Sequence, residues 1–356
     1  MTRARRRPQI LVALLACAVV LAGGVAAASG ALASQASASA HITKSKPKPK
    51  PKPKPKPKPP AAIYAATGVG DEQPAMFSNA AFKALHARIA RYVTPYDVMG
   101  NHSANDLPRL RAWLSAASRA HVQPLVSFYH SDRTPKKMPS VAAYTQAVKA
   151  FLKAFPSVRL LQPWDEANRG TVRERGDSFT SPSAKQSAQY YLALRSACRS
   201  CTIVGLDLLD STDVKATIAY LNAFKRDVGR SHLPSIWGLH NYSDTNRFHA
   251  GGTKAVLANT SGQVWLTETG GIAKLSPSFP FNLARQARAT SYMFSLSRLS
   301  RRITRLYIFQ WTGGVAKRES FDAGLTDVHG RPRPAFCVVY KQLRRTGSCP
   351  YKTVRD

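Results

Sequence analysis

From residue 61 onward the chain alternates between short apolar runs and longer amphipathic stretches. The runs are Ala61–Thr67, Arg88–Thr94, Val122–Tyr129, Val158–Trp164, Thr202–Leu208, Ser235–Asn241, Val264–Glu268 and Arg305–Trp311. They are rich in Val, Ile, Leu and aromatics and mostly lack polar alternation, the mark of strands buried on both faces of a parallel sheet. The stretches between them read as helices. Ser181-Pro182 offers an N-cap and a first-turn proline, followed by Ala188, Tyr191, Leu192 and Arg195 at helical spacing. After Asp213, Val214, Ile218, Leu221 and Phe224 form one stripe. Eight such β-α units predict an α/β fold of the (β/α)8, or TIM barrel, type. The competing doubly wound sheet wants a glycine-rich phosphate loop after its first strand. Gly68-Val69-Gly70 is a fragment of one, without the third glycine. The sequence also has no nucleophile elbow, and its first strand has no His-x-His for a metal.

The first 60 residues follow a different pattern. Arg3, Arg5, Arg6 and Arg7 precede an apolar run from Ile10 to about Ala28, and small residues follow. This predicts a secretory signal over 1–40, cleaved after Ala33 or Ala38, or kept as an N-terminal membrane anchor. Leu14-Leu15-Ala16-Cys17 also resembles a lipoprotein box. In each case the rest of the chain is exported, to the cell surface or beyond. Residues 41–60 are a linker in which Lys and Pro alternate strictly from Lys46. Proline fixes φ and the lysines repel, so an extended polyproline segment of about 45 Å is expected at roughly 3.1 Å per residue. The third segment, 61–356, carries the barrel. Cys198, Cys201, Cys337 and Cys349 fit export, since four cysteines beyond the leader can pair fully. Three connectivities are open, of which Cys198–Cys201 with Cys337–Cys349 is the simplest. No cofactor or metal is expected, because no second His or Cys pair stands at ligand spacing.

The formal net charge is +33, and part of it is the tail. Residues 61–356 still hold 40 basic and 19 acidic residues, a net of +21. An anionic cell-wall polymer is therefore an expected partner, through both linker and surface. A nucleic acid is not expected, and the protein reads as a monomer.

Active sites of such barrels lie at the C-terminal ends of the strands. The fourth run ends in Trp164-Asp165-Glu166-Ala167-Asn168, the sixth in His240-Asn241-Tyr242, the seventh in Thr267-Glu268 and the eighth in Gln310-Trp311. Two glutamates thus emerge from apolar strands on nearly opposite sides of the mouth. Facing carboxylates are what glycosidic cleavage needs, one protonating the leaving oxygen and the other attacking carbon or activating water. Trp311 suits a stacking floor for a sugar ring, with core packing as the other reading. His240 and Tyr242 share a side of their strand. Arg91 is a candidate partner for Glu268, and His130, closing the third run, is a further cleft candidate.

These motifs resemble those of the clan A glycoside hydrolases, retaining enzymes on a (β/α)8 barrel. Trp164-Asp165-Glu166-Ala167-Asn168 is similar to the clan's W-N-E-P-N. Val264-Trp265-Leu266-Thr267-Glu268 resembles its nucleophile strand, and His240-Asn241-Tyr242 and Gln310-Trp311 match its sixth- and eighth-strand signatures. Gly324-Leu325-Thr326-Asp327 and Gly330-Arg331-Pro332 resemble its approach to the last helix. The resemblance implies Glu166 as acid/base, Glu268 as nucleophile, and Tyr242 and Arg91 holding Glu268. It implies a carbohydrate substrate bound with Trp164, Asp165 and Asn168. Two positions depart from the pattern. Asp165 stands where the clan has Asn, and Ala167 where it has Pro. A carboxylate can accept from a sugar hydroxyl but not donate, and its charge is expected to raise the pKa of Glu166. Arg169 is the nearby cation that could cancel that field. Two functions stay open: a retaining glycosidase, and a barrel without turnover that binds wall or carbohydrate.

Overall fold

The computed structural model describes residues 65–100, 105–172, 181–315 and 319–355. The leader and the Lys-Pro linker lie outside the described residues. Strands β1 (Ala66–Gly70), β2 (Ile89–Pro95), β3 (Gln123–Tyr129) and β4 (Leu160–Gln162) are followed by β5 (Thr202–Ile203) and β6 (Asp207–Leu209). Then come β7 (Ile236–His240), β8 (Gln263–Thr269), the short β9 (Lys274–Leu275), β10 (Ile303–Phe309) and β11 (Phe321–Asp322). All pairings in the main sheet are parallel, in the order β5-β4-β3-β2-β1-β10-β8-β7-β6. The two end strands are consecutive in the chain, and the segment between them closes the ring. Val204 N–H donates to Leu161 O at 2.9 Å on one side, and Gly205 N–H to Ile236 O at 3.0 Å on the other. The fifth predicted strand is thus one irregular staple, and the fold is the expected eight-unit barrel. β9 and β11 form a separate antiparallel pair over the mouth end of β8.

Helices α1 (Ala80–Leu85), α2 (Asp106–Arg119), α3 (Val141–Ala154), α4 (Arg169–Val172) and α5 (Ala184–Ala197) come first. They are followed by α6 (Val214–Val228), α7 (Tyr242–Arg247), α8 (Gly251–Asn259), α9 (Leu283–Ser297) and α10 (Pro334–Arg344). Their apolar faces cover the sheet: Tyr220, Leu221, Phe224 and Val228 of α6 are all buried. Asp213 caps α6 as its spacing suggests, its side chain accepting from Ala216 N–H at 3.0 Å. The cap of α5 is Ser183 and not Ser181, because Ser181 Oγ is taken by Gly170 N–H. No described helix is long and apolar enough to cross a membrane.

Two strand boundaries differ from the pattern reading. β1 includes the Gly68-Val69-Gly70 stretch, so these glycines are strand residues. A Cβ on Gly68 would sit 2.3 Å from Ile89 O, so the close approach of β2 demands glycine there. β10 ends at Phe309, which leaves Trp311 beyond the strand.

The cysteines pair locally, Cys198 with Cys201 and Cys337 with Cys349. The second pair ties the first turn of α10 to the returning tail, across a sequence separation of 12. Chain entropy assigns a loop of this size about 3 kcal/mol. The double variant Cys337→Ser/Cys349→Ser should therefore melt several degrees lower in calorimetry. An unchanged melting temperature would mean that the α10 packing alone holds the tail.

Candidate active site

The strand ends bring together one buried ionic cluster. Arg91, on β2 and 1% exposed, is its centre. Its Nη1 donates to Glu268 Oε1 at 2.5 Å, its Nε to Gln162 Oε1 at 2.9 Å, and its Nη2 to Asp207 Oδ2 at 3.1 Å and to Asp165 Oδ1. Glu268 also accepts from the Tyr242 hydroxyl at 3.1 Å. On the other side, Glu166 is ion-paired with Arg169 and accepts from His240 Nδ1 at 3.1 Å. His240 Nε2 lies 2.9 Å from Asp207 Oδ2, off the hydrogen-bond direction, and 4.0 Å from Asp165 Oδ1. One carboxylate oxygen of Glu166 and one of Glu268 lie within 4.8 Å of each other, with a His240 ring nitrogen within the same distance of both.

Local chain geometry aims these groups. In β8 one extra residue falls between Leu266 and Thr269 relative to β10, and between Trp265 and Glu268 relative to β7. Such a bulge re-aims side chains. Thr267 reaches Asp207 Oδ1 while the adjacent Glu268 meets Arg91. Glu166 has φ +42°, an unusual conformation for a side chain of its size, at a cost on the order of 1–3 kcal/mol. Ala167 N–H on Asp207 O and Asp165 N–H on Phe128 O pin the turn that holds it. A Cβ on Gly238 would fall 2.3 Å from Asp207 Oδ1, so β7 leaves the space that Asp207 occupies.

The charge states follow from burial and pairing. Burial alone would raise Glu166, but Arg169 and His240 outweigh it and hold its carboxyl well below the usual range. Burial raises Asp165 to about 7, against the pull of Arg91 and with the help of Glu268 and Asp207. His240 is raised well above the ordinary imidazole value: desolvation opposes this, but Asp207 and Glu268 dominate. The expected field of Asp165 on Glu166 is therefore not what sets Glu166. Arg169 pairs with Glu166, and Arg91 donates to Asp165. Of Asp165, Glu166 and Asp207, it is Asp165 whose hold on a proton is raised. Glu72, half-buried past β1, is pushed up to about 8 by burial and by the charges of Asp71 and Glu268. The acid–histidine sets of this cluster have metal-ligand spacing, but Arg91 and Arg169 already supply their positive charge.

The other candidates sit elsewhere. Trp311 is 2% exposed and packs edge-on against Phe82 and Phe336, so the core reading replaces the sugar floor. Beyond the strand end, its ring falls between α1 and α10. Trp164 is likewise core, stacked between Tyr96 and Tyr190. The half-buried aromatic at the end of the eighth barrel strand is Phe309, stacked on Phe321, which in turn meets Tyr242. Asn168 clamps β6, bonding both Leu209 O and Leu209 N–H. His130 contacts its neighbours Ser131 and Tyr129. The sequence reading missed Asp207, Gln162 and a role for Arg169 on Glu166. Asp207 carried a signal, a lone acid in the apolar run Leu206-Asp207-Leu208-Leu209.

No protein-family model and no curated protein sequence matches the chain. Solved structures do match. A family 39 glycoside hydrolase from Bacteroides cellulosilyticus WH2 superposes with a TM-score of 0.53 at 14% identity, over 80% of this chain and 64% of that one. GH5_18 from Streptomyces cattleya, in complex with GlcNAc, gives 0.57 at 13%, over 80% and 81%. Native xylanase 10B from Thermotoga maritima gives 0.54 at 12%, over 80% and 95%. The chain spans less than two thirds of the first of these and most of the other two. What it shares with them is the (β/α)8 fold of these glycoside hydrolases.

Proposed function

We propose that this chain is an exported retaining glycosidase acting on a poly- or oligosaccharide. The observation that carries the reading is the pair Glu166 and Glu268, whose nearest oxygens lie within 4.8 Å at the mouth of the barrel. Retaining sites hold their carboxyl groups about 5–5.5 Å apart, too close to admit a water between them as inverting sites do. Glu268, oriented by Arg91 and Tyr242, attacks the anomeric carbon, and the glycosidic bond breaks toward the leaving oxygen. Glu166 delivers the proton to that oxygen, then takes one from the water that releases the sugar. His240 Nδ1 lies 3.1 Å from Glu166 Oε1, and the imidazolium there can hand Glu166 the proton that it delivers. Asp165 also offers an acceptor for a sugar hydroxyl. The disulfides and the leader support export, and the basic linker and surface support an anionic wall polymer as second partner.

A specific observation favours the second reading, a binding barrel without turnover. Glu166 is 2% exposed and held by both Arg169 and His240. Catalysis requires substrate to loosen that pair. A panel of 2-deoxy-2-fluoro glycosides distinguishes the two. The exported protein should be labelled on the peptide containing Glu268, and Glu268→Gln should lose activity by on the order of 10³-fold or more. Label on another residue, inversion at the anomeric carbon, or no turnover across a broad aryl-glycoside screen would sink the glycosidase reading.

A further inference from the structure

The charge of the barrel is polarised along its axis. Strands run toward the mouth and helices return, so helix C-termini and the turns into the next strand gather on the opposite face. Every described acid except Asp227 lies in the barrel interior, in a loop on the mouth side or at a helix start. The opposite face is basic. The turns into β2, β4, β5 and β7 carry the exposed Arg88, Arg159, Arg199 and Arg230, and the last turns of α2 and α6 carry the exposed Arg119 and Arg226. Among the described residues none of these six is ion-paired with an acid. An Arg–Asp pair at the surface, Arg331 with Asp327 at 2.6 Å, is on the mouth side.

Helix dipoles favour cations in last turns by about 0.3–1 kcal/mol each. That accounts for Arg119 and Arg226. It does not account for arginines set in the turns beyond, nor for the near absence of acids to balance them. Like charges gathered without counter-charge repel, and the fold holds some of them together. Arg159 Nη1 donates to Ser200 Oγ at 3.0 Å, inside the turn stapled by Cys198–Cys201 that also carries Arg199. The same face holds a hollow of about 600 Å³ lined by Asn222, Lys225, Arg226, Gly229, Arg230 and Leu233. Three cations around one recess can receive a single phosphate or carboxylate group, and the guanidinium fork matches either.

We infer that the face opposite the active-site mouth is a docking surface for a linear polyanion bearing repeated phosphate or carboxylate groups, seated through the Arg226–Arg230 hollow and the ring of turn arginines. Docking there leaves the mouth facing away, so the polyanion is an anchor and not the substrate. The described chain enters the barrel at this face, through β1. A membrane surface fits less well. Interfacial binding inserts apolar side chains beside the cations. Leu299 is the large hydrophobic exposed there, while Phe248 and Val315 lie toward the mouth. The inference deepens the anionic-partner part of the proposed function and does not depend on the glycosidase assignment.

The test compares two charge reversals in the full exported chain. Arg226→Glu/Arg230→Glu alters the basic face. Lys136→Glu/Lys137→Glu, in the loop between β3 and α3, makes the same change in net charge on the mouth side. Binding to immobilised polyphosphate and to polygalacturonate is measured at low and high salt, with melting curves confirming that both variants fold. The first variant should lose about tenfold in affinity at low salt and show a shallower salt dependence, while the second changes little. Preference between the two polymers assigns phosphate or carboxylate. Equal losses for both variants would mean that net charge alone acts, and no loss in the first would remove the site. Retention by phosphatidylglycerol vesicles in the absence of polymer binding would replace the polymer with a membrane. Since only binding is read, an inactive barrel leaves the result intact.

Discussion

Replacing Asp165 with asparagine should make the protein more stable above pH 7 and less active there. With every group ionised, Asp165, Glu166, Asp207 and Glu268 supply four negative charges, and Arg91, Arg169 and His240 supply three positive ones. The cluster has one carboxylate in excess, and burial makes that excess costly. Asp165 holds the compensating proton, its pKa raised from 3.8 to about 7. A carboxyl whose folded pKa lies above its unfolded value costs nothing below the unfolded value. The folded state loses stability as pH rises from about 4 to 7, and the full cost remains above that. Over such an interval the linkage amounts to up to about 4 kcal/mol. The amide of Asp165→Asn would carry no charge, and its Oδ1 could still accept from Arg91. The gain in urea midpoint should thus be large at pH 8 and vanish near pH 4. Activity should move the other way. Above pH 7 the Asp165 carboxylate, 4.0 Å from His240 Nε2, helps to hold the imidazolium proton on which Glu166 draws, and without that charge the basic limb of kcat/KM should fall to lower pH. A midpoint gain that is the same at pH 4 and pH 8 would mean that Asp165 is ionised throughout.

The variant Arg91→Met should be the most damaging single change in the barrel interior. Arg91 contacts three carboxylates at once and is buried. Removing one partner of a buried ion pair costs about 3–5 kcal/mol, because the other charge stays buried without it. Here three are stranded. Buried charge left without its partner is costly, so the loss should grow as pH climbs above the ordinary carboxylate range and shrink below about pH 4. Urea unfolding at pH 4 and pH 8 reads this directly. The double variant Arg91→Met/Asp165→Asn should be less destabilised than the two single effects summed, since each removes part of the same imbalance. A penalty independent of pH would assign Arg91 to packing alone. Turnover should be lost in either case, because Glu268 would lose the guanidinium that orients it.

The barrel was legible because its strands are buried on both faces. A strand that touches helices outside and side chains inside leaves no polar alternation, and eight such runs allow few other closures. The candidate glutamates were legible for a related reason: an acid ending an apolar strand stands out where acids are scarce. Two kinds of feature were not legible. Strand ends depend on neighbours, so β1 extends through Gly68 only because β2 approaches its backbone closely, and Trp311 falls outside β10 into the core. The partners of charged groups depend on which strands the ring sets side by side. Arg169 neighbours both Asp165 and Glu166 in sequence, yet it pairs with Glu166 while Arg91, 74 residues away from Asp165, takes that carboxylate.

By itself, then, the sequence determined the repeating β-α order, the basic excess and the acids at the strand ends, all of which are written in local pattern and composition. Only the tertiary structure decided which acid is pushed toward protonation, that Asp207 joins Arg91 to His240, and that the basic excess faces away from the mouth. Burial and the distance between charges are properties of the closed ring. The bulge in β8 shows how finely they are set. One extra residue between Leu266 and Thr269 turns Glu268 toward Arg91 and Tyr242 while Thr267 faces Asp207, and no periodicity in the chain announces it.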